Sequence, residues 1–293
     1  MSTPEQLLQL LVSGLTIGSI YSLIALALVM TFNVTGILNL AIGEFVTIGA
    51  LLAAGFYQGG LPIPVAFPLA VVIVAFLGGL TERAVIHPVR GASGLSLIII
   101  TLGLSIALRG LALLIWGTEP VSLPAFSGGG PILLGGAAIN PQSIWIMGLV
   151  AITLAGLYFF FESTYTGKAV KACVINRTGA RLVGINPGTM SLYAFTAGGA
   201  LGAAAGIFIT PVTLATYDMG FMLGVKGFVA AVIGGMHSVG GAVLGGLLLG
   251  ILECYGAGLV SSGLKDATAI VVLLLVLLAR PEGILTAIAA RKV

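Results

Sequence analysis

Three polar side chains interrupt an apolar stretch near the beginning of the chain, and they are the first candidates for chemistry. Asn33, Asn39 and Glu44 lie within or next to a run of apolar residues at 36–56. If this run crosses a membrane, a carboxylate at that depth costs about 2.5–3.5 kcal/mol on insertion scales. Such a residue normally faces a cavity or a partner, so we predict that Glu44 lies beside a solute pathway. The alternative is a buried Glu44 that is hydrogen-bonded to a neighbouring helix for packing.

The spacing of Asn39 and Glu44 predicts an interruption in the helix that carries them. The two residues are five positions apart, which places them about 140° apart around a regular helix. They share a face only if Gly43 bends or breaks the helix. A discontinuous helix has unpaired backbone N–H and C=O groups that can bind a zwitterionic solute. We therefore predict a discontinuous second span, with Asn39, Gly43 and Glu44 as candidate residues of the pathway.

Two further charged residues lie inside apolar runs. Arg109 belongs to the run 95–116 and Glu253 to the run 241–258. Long charged side chains near the end of a membrane helix extend to the interface, and we expect this of both residues. Pairing with each other or with Glu44 is the alternative, which the sequence leaves open.

A polar segment at 162–189 has the composition of a docking element. It combines four basic residues with small apolar ones. Gly167 is predicted to open a short helix, Gly179 to break it, and Gly184 to help end a second one. A basic helix lying on anionic lipid is the alternative interpretation. The small Ala and Gly positions favour close contact with another protein instead.

The composition requires that membrane helices position these residues. Hydrophobic residues make up 58% of the 293 residues, and only 7% are charged. A soluble domain has about a quarter charged residues, so this chain cannot cover its surface with polar side chains and must be surrounded by lipid. A net charge of +3 spread over separate loops forms no basic patch, which excludes a nucleic-acid partner.

Apolar runs follow one another along the chain, and a spanning helix needs about 20 such residues. The predicted fold class is an all-α membrane protein, a polytopic bundle of about eight or nine transmembrane helices with short cytoplasmic helices in the segment 162–189. The run 221–235 is short enough to be re-entrant. The nine predicted runs are 7–30, 36–56, 64–80, 95–116, 144–161, 190–210, 221–235, 241–258 and 267–279.

The distribution of Lys and Arg predicts which loops are cytoplasmic. Nine of these 12 residues lie in three segments: 82–94, 162–189 and 280–293. The loops on the opposite side contain no Lys or Arg: 57–63, 117–143 and 211–220. The positive-inside rule therefore makes the basic segments cytoplasmic. With nine spans the C-terminus is inside and the N-terminus outside, and residues 1–293 are expected to form a single transmembrane domain.

The sequence lacks the patterns of a catalytic or metal-binding protein. Gly167 and Lys168 are followed by Ala169 and lack the upstream glycine of a phosphate-binding loop, so this chain is not expected to use ATP itself. The two histidines, His87 and His237, lie at predicted membrane edges and supply neither a metal site nor a nucleophile–His pair. We expect no catalytic residue, no metal and no bound cofactor.

Seven segments distributed over nearly the whole chain form recognisable motifs. They are 14–26 (GLTIGSIYSLIAL), 36–45 (GILNLAIGEF), 82–90 (ERAVIHPVR), 167–177 (GKAVKACVINR), 180–186 (ARLVGIN), 234–246 (GGMHSVGGAVLGG) and 280–284 (RPEGI). In type and order these motifs resemble those of one family, from its opening helix through its second span and cytoplasmic loops to its C-terminal signature. It is the family of permease subunits of branched-chain amino acid ABC importers, and the resemblance is to the first of its two permease types.

This resemblance implies a function, a location and a set of partners. It implies a transport subunit of the bacterial inner membrane, not an enzyme, that moves leucine, isoleucine and valine inward by alternating access. The implied partners are a second homologous permease, two ATP-binding subunits that hydrolyse ATP, and an extracytoplasmic solute-binding protein. The residues implied to couple this chain to the ATP-binding subunits are Gly167, Lys168, Asn176, Arg177, Ala180, Arg181 and Gly184.

Two other functions stay open at this point. Related permeases carry urea, short amides or other amino acids, so a urea or short-amide ABC permease is the first alternative. The second is a secondary transporter or channel driven by an ion gradient. Such carriers usually have more ionisable groups inside the membrane than this chain.

Overall fold

The computed structural model describes residues 4–280, except 135, 262 and 264, together with residues 283 and 284. Within this part of the chain there are eleven α-helices and one two-stranded hairpin. The third helix continues through a π-helical turn, Glu82–Ile86, and a 3-10 turn, His87–Val89. The helices are α1 (Pro4–Thr35), α2 (Ile42–Gln58), α3 (Ile63–Thr81), α4 (Gly94–Trp116), α5 (Pro141–Ser163), α6 (Tyr165–Ile175), α7 (Arg177–Leu182), α8 (Pro187–Thr213), α9 (Met219–Gly234), α10 (Val239–Leu259) and α11 (Lys265–Ala279), and the strands are β1 (Ile132–Leu134) and β2 (Ala137–Ile139).

Each of the nine predicted apolar runs is helical over most of its length, because a backbone in lipid must satisfy its N–H and C=O groups internally; the largest departure is at residues 36–41 of the second run, which are non-helical. Six helices are long and apolar enough to cross a bilayer: α1, α3 with its extension to Val89, α4, α5, α8 and α10. Two more, α2 and α9, are apolar but have only 17 and 16 residues. The predicted all-α polytopic fold is confirmed, and the count of eight or nine crossings stays a prediction.

The first and eighth helices form the centre of the bundle. In their most apolar windows, 83% of the residues of α1 and 72% of those of α8 are buried, compared with 11% in α5. A helix that is apolar on all sides is normally enclosed by others, and α1 contacts α8, α9 and α10. Helices α3, α4 and α5 instead expose apolar side chains on the outside of the bundle. That surface suits lipid or another membrane subunit.

Glycine allows the central helices to touch through their backbones. A Cβ atom at Gly206 of α8 would lie 2.1 Å from the carbonyl oxygen of Val46 in α2. A Cβ atom at Gly250 of α10 would lie 2.3 Å from the backbone nitrogen of Gly18 in α1. Both distances are far shorter than a van der Waals contact, so α8 packs on α2, and α10 on α1, only because these positions have no side chain.

The basic loops meet at one end of the bundle. Arg90 of the first basic loop and Arg177 of the second line the same cavity, which has a volume of about 210 Å³. At the other end, the Nε2 atom of Gln9 in α1 donates a hydrogen bond to the carbonyl oxygen of Ala138 in β2, at 2.9 Å. The loop 117–143, which contains no Lys or Arg, therefore lies beside the start of α1.

Candidate functional site

The polar connection before α2 is the first part of the candidate site. α1 ends where Gly36 adopts a left-handed backbone conformation, with φ of +74°. Residues 36–41 are non-helical, and α2 follows them. The expectation that Gly43 interrupts the helix is wrong, because the interruption lies before it and Gly43 occupies the first turn of α2. Asn39 is therefore in the connection and does not share a helix face with Glu44.

The fourth helix holds this connection in place. The hydroxyl of Thr101 donates a hydrogen bond to the carbonyl oxygen of Leu38 at 3.1 Å and accepts one from the backbone N–H of Leu40 at 3.4 Å. The side-chain oxygen of Asn39 accepts a hydrogen bond from the backbone N–H of Ala41 at 3.1 Å. These bonds satisfy backbone groups that have no helical partner, as buried polar groups require.

Glu44 is the centre of the candidate site. Its side chain is 1% exposed, and its Oε1 atom accepts hydrogen bonds from the hydroxyl of Ser105 at 2.8 Å and from Arg109 at 2.8 Å (Nη2) and 3.3 Å (Nε). Ser105 is the middle residue of α4, 11 positions from either end. Thr101, Ser105 and Arg109 are spaced by four residues and form one stripe on α4. Sequence reasoning missed the two hydroxyl residues, although this spacing was a signal for them.

Arg109 does not extend to a membrane interface, so that expectation is wrong. Its guanidinium group turns towards Glu44, because a buried carboxylate without a partner would cost about 3–5 kcal/mol. The side chain of Arg109 remains 27% exposed, and its Cζ atom lies 4.6 Å from the centre of the Phe221 ring. A cation over an aromatic face is attracted by the ring electrons, so α9 also helps to hold this arginine.

Two polar atoms at the site are buried without a hydrogen-bond partner among the described residues. They are the Oε2 atom of Glu44 and the Nδ2 atom of Asn39. A Cβ atom at Gly43 would lie 2.2 Å from the carbonyl oxygen of Gly220, so α2 and the start of α9 touch through their backbones. Asn39, Gly43 and Glu44 are thus enclosed in this conformation, and their place on a solute pathway stays a prediction.

A second buried ionic cluster joins α1, α9 and α10. Glu253 is fully buried, so the expectation that it reaches an interface is wrong. Its carboxylate accepts hydrogen bonds from the Nζ atom of Lys226 at 2.7 Å and from the hydroxyl of Tyr21 at 2.8 Å. Lys226 also pairs with Asp266 at the start of α11, at 2.7 Å. Sequence reasoning missed Lys226, although a single cation in the apolar run 221–235 was the available signal.

The predicted docking segment forms two short helices, α6 and α7. Thr164 caps α6 by accepting a hydrogen bond from the backbone N–H of Gly167 at 3.0 Å, so Gly167 lies in the first turn. The break between the helices is at Asn176, which caps α7 by accepting a hydrogen bond from the backbone N–H of Gly179 at 2.8 Å. The expectation that Gly179 breaks the helix is therefore wrong. Gly184, with φ of +86°, follows the end of α7 as predicted.

The residues expected to couple to a partner divide into two groups. Gly167 and Ala180 are buried, and Ala180 belongs to one buried apolar cluster with Cys173 and Met190, so these positions hold the two helices against the bundle. The others expected to couple are exposed: Lys168, Asn176, Arg177, Arg181 and Gly184. Beside them the apolar side chains of Ile175, Leu182 and Val183 are also exposed. The two helices thus present a mixed apolar and basic surface.

A third buried carboxylate fixes the loops at this end of the bundle. Glu82 is 1% exposed and accepts hydrogen bonds from Arg90 and from the hydroxyl of Ser191 at 3.0 Å. The first basic loop is thereby attached to the beginning of α8, one of the two central helices, which follows α7 along the chain.

The chain is similar to a known family and to named transport proteins. Residues 10–279 match the family model described as the permease component of branched-chain amino acid transport systems. The chain is 34% identical to the high-affinity branched-chain amino acid transport system permease protein BraD of Pseudomonas aeruginosa and to LivH of Escherichia coli K12, with 95% of each chain covered in both comparisons. Among solved structures, PsaBC from Streptococcus pneumoniae in complex with Fab has a TM-score of 0.47 and 16% identity, and 90% of each chain is covered. On the strength of the sequence relatives, the chain belongs to the family of permease components of branched-chain amino acid transport systems.

Proposed function

We propose that this chain is the membrane permease of an ATP-driven importer that moves leucine, isoleucine and valine across the bacterial inner membrane. One observation carries the proposal: 34% identity over 95% of both chains to permeases named for high-affinity branched-chain amino acid transport. The match extends over residues 10–279, so it includes the segments of the predicted pathway and of the basic loops as well as single helices.

The proposed partners are a second homologous permease, two ATP-binding subunits and an extracytoplasmic solute-binding protein. The exposed surface of α6 and α7 supports docking of an ATP-binding subunit, since apolar residues such as Ile175 and Leu182 lie beside Arg177 and Arg181. Protein interfaces commonly combine an apolar centre with a charged rim. The exposed apolar faces of α3, α4 and α5 leave room for a second permease. ATP is bound and hydrolysed by the partners, and this chain binds no cofactor.

The proposed orientation places the basic end of the bundle in the cytoplasm. The loops with Arg90 and Arg177 meet at that end, in agreement with the positive-inside rule. The start of α1 and the loop 117–143 then lie outside. The C-terminus is inside in this arrangement, and the basic residues Arg291 and Lys292 on which that expectation partly depends lie outside the described residues.

The proposed solute pathway passes the connection 36–41 and the middle of α4. Asn39, Gly43 and Glu44 belong to it, together with Arg109, which the structure brings to Glu44. An ionisable pair at the centre of a membrane helix is costly and is usually retained for function. Because the three predicted residues are enclosed here, opening of the pathway requires α2 to move relative to α4 or α9.

The assembly is tested by isolating the tagged chain in a mild detergent and identifying the proteins that accompany it. Two ATP-binding subunits and a second permease are expected with the native chain. Arg177→Glu should lose the ATP-binding subunits, because it reverses a charge on the docking helices. Arg83→Glu is the matched control, since it makes the same change at an exposed position of the first basic loop. A normal complex with Arg177→Glu would contradict the docking assignment.

The transported solute is tested in proteoliposomes that contain the complex and its solute-binding protein. We expect uptake of radiolabelled leucine that requires ATP and persists after an ionophore has been added. Uptake of urea or acetamide with no uptake of leucine would favour the short-amide permease. Uptake by this chain alone, without ATP and abolished by the ionophore, would favour an ion-driven carrier.

A further inference from the structure

Arg109 of α4 pairs with Glu44 of α2, and of these two side chains only that of Arg109 is partly exposed. Its Nε and Nη2 atoms both donate to the same oxygen of Glu44, Oε1. A guanidinium group has five N–H donors arranged in a planar fork. The edge formed by Nη1 and the second N–H of Nη2 has no hydrogen-bond partner among the described residues. Arg109 therefore keeps one complete hydrogen-bonding edge free while the other edge is held by Glu44.

This free edge lies at a depth where lipid cannot satisfy it. Arg109 is only four positions from the middle residue of a helix of 23 residues, about 6 Å along the axis. A charged group facing hydrocarbon near that depth costs several kcal/mol, and such groups normally face a cavity, water or a polar partner. The other exposed residues of this part of α4 are apolar, such as Ile106 and Leu111. Arg109 is thus a charged group on a part of the α4 surface that is otherwise apolar.

The surroundings of the free edge match an amino acid with an aliphatic side chain. The fork of a guanidinium group binds a carboxylate through two parallel hydrogen bonds. The Phe221 ring lies against the face of the Arg109 guanidinium group, and Phe221 is 39% exposed, so an accessible apolar surface lies next to the charge. A zwitterion with a branched apolar side chain presents the complementary pair of groups, a carboxylate and a hydrocarbon branch.

Glu44 and Ser105 position the arginine without saturating it. Both of the pair's hydrogen bonds and that of Ser105 converge on Oε1, while Oε2 has no partner among the described residues. If the Glu44 carboxylate instead accepted hydrogen bonds from Nη1 and Nη2, it would occupy the edge that is free here. Here the fork is oriented through one edge, which is the arrangement needed to offer the other edge to a passing anion.

We infer that Arg109 binds the α-carboxylate of the transported amino acid midway across the membrane, with Phe221 against its side chain and Glu44 as the positioning residue. This inference rests on the proposed function, because it names the residue with which the permease itself contacts its solute.

The first test separates solute contact from a structural ion pair. A buried pair can often be replaced by neutral residues of similar size with little loss of stability. If the pair is only structural, the double variant Glu44→Gln/Arg109→Gln should therefore assemble and transport normally. The inference instead predicts that this double variant still copurifies with its partners but takes up leucine roughly tenfold more slowly or worse, because a charge-assisted hydrogen bond is lost. Leucine uptake within about twofold of the native rate would overturn it.

A second variant keeps the first test decisive if the double variant fails to assemble. Arg109→Lys retains the charge opposite Glu44 but has no planar fork. We expect assembly to be normal and the KM for leucine uptake to rise roughly tenfold. A native KM in an assembled Arg109→Lys complex would assign the arginine to packing alone.

A third measurement asks whether the site meets water and solute. A cysteine introduced by Phe221→Cys should react with a negatively charged, water-soluble thiol reagent in the working complex, and leucine should slow that reaction. Leu111→Cys is the matched control, because Leu111 is 53% exposed but belongs to the apolar surface of α4. Equal, slow labelling of both positions would mean that lipid or the second permease covers Phe221 and would refute the inference.

The outcomes distinguish this inference from the proposed function. If the native complex takes up leucine and the Arg109 variants do as well, the function stands and the carboxylate contact is rejected. If the native complex takes up no leucine under any condition, the proposed function fails before the variants are compared.

Discussion

The buried pair of Lys226 and Glu253 allows a quantitative prediction about stability. Lys226→Met removes the charge but keeps an unbranched chain of similar length. Glu253 is fully buried and would then retain only the hydroxyl of Tyr21 at 2.8 Å and the Nζ atom of Lys265 at 3.7 Å. Removing one partner of a buried pair costs about 3–5 kcal/mol. Because two weaker partners remain, we expect a loss of about 3 kcal/mol in the free energy of unfolding.

Neutralising both residues should restore most of this stability. In Lys226→Met with Glu253→Gln no uncompensated charge is left, and the amide oxygen can still accept the hydrogen bond from Tyr21. We expect the double variant to be within about 1 kcal/mol of the native chain. Asp266 also loses its contact with Lys226, but its side chain is 60% exposed and remains solvated, so this loss contributes little.

The measurement is unfolding by sodium dodecyl sulfate in mixed micelles, followed by the far-ultraviolet circular dichroism of the helices. The native chain, the single variant and the double variant are compared under identical conditions. If the double variant is as unstable as the single one, the lysine contributes by packing and not by compensating Glu253. A loss below about 1 kcal/mol in the single variant would mean that water reaches the cluster, and the reasoning from burial would be refuted.

Two further predictions follow from local geometry. Gly206→Ala should lower the stability in detergent by about 1–3 kcal/mol, because the new Cβ atom would lie 2.1 Å from the carbonyl oxygen of Val46. The control Gly148→Ala should cause no loss, because a Cβ atom at this position of α5 meets open space. Equal thermal unfolding temperatures for the two variants would contradict this. Burial raises the pKa of the Cys173 thiol despite the opposing charge of Arg177, so less thiolate is present at neutral pH. Alkylation of Cys173 by iodoacetamide should therefore be slower than that of an exposed cysteine introduced by Ile175→Cys and should reach its maximum rate at a higher pH, and coinciding pH profiles would disprove it.

Much of the secondary structure was predictable because its causes are local. A continuous apolar stretch in lipid forms a helix because its backbone must pair internally, and apolarity located each run from 7–30 to 267–279, including those shorter than a full crossing. The two short helices of the segment 162–189 were also expected, since Gly167, Gly179 and Gly184 indicated where helices begin and end. The positions of the breaks were predicted less well, because Gly43 and Gly179 are tolerated inside helices. The interruptions occur at Gly36, with its left-handed conformation, and at Asn176, with its capping side chain.

The sequence by itself determined that this chain is a bundle of membrane helices with basic loops at one end, because apolarity and charge are properties of each segment. Only the tertiary structure decided which charged groups meet. Glu44 and Arg109 are 65 positions apart, and Tyr21 and Glu253 are 232 apart. Whether a charge in a membrane helix extends to the interface or pairs inside depends on a partner within about 4 Å. That distance is set by how the helices pack, so it cannot be predicted from the residues of any one segment.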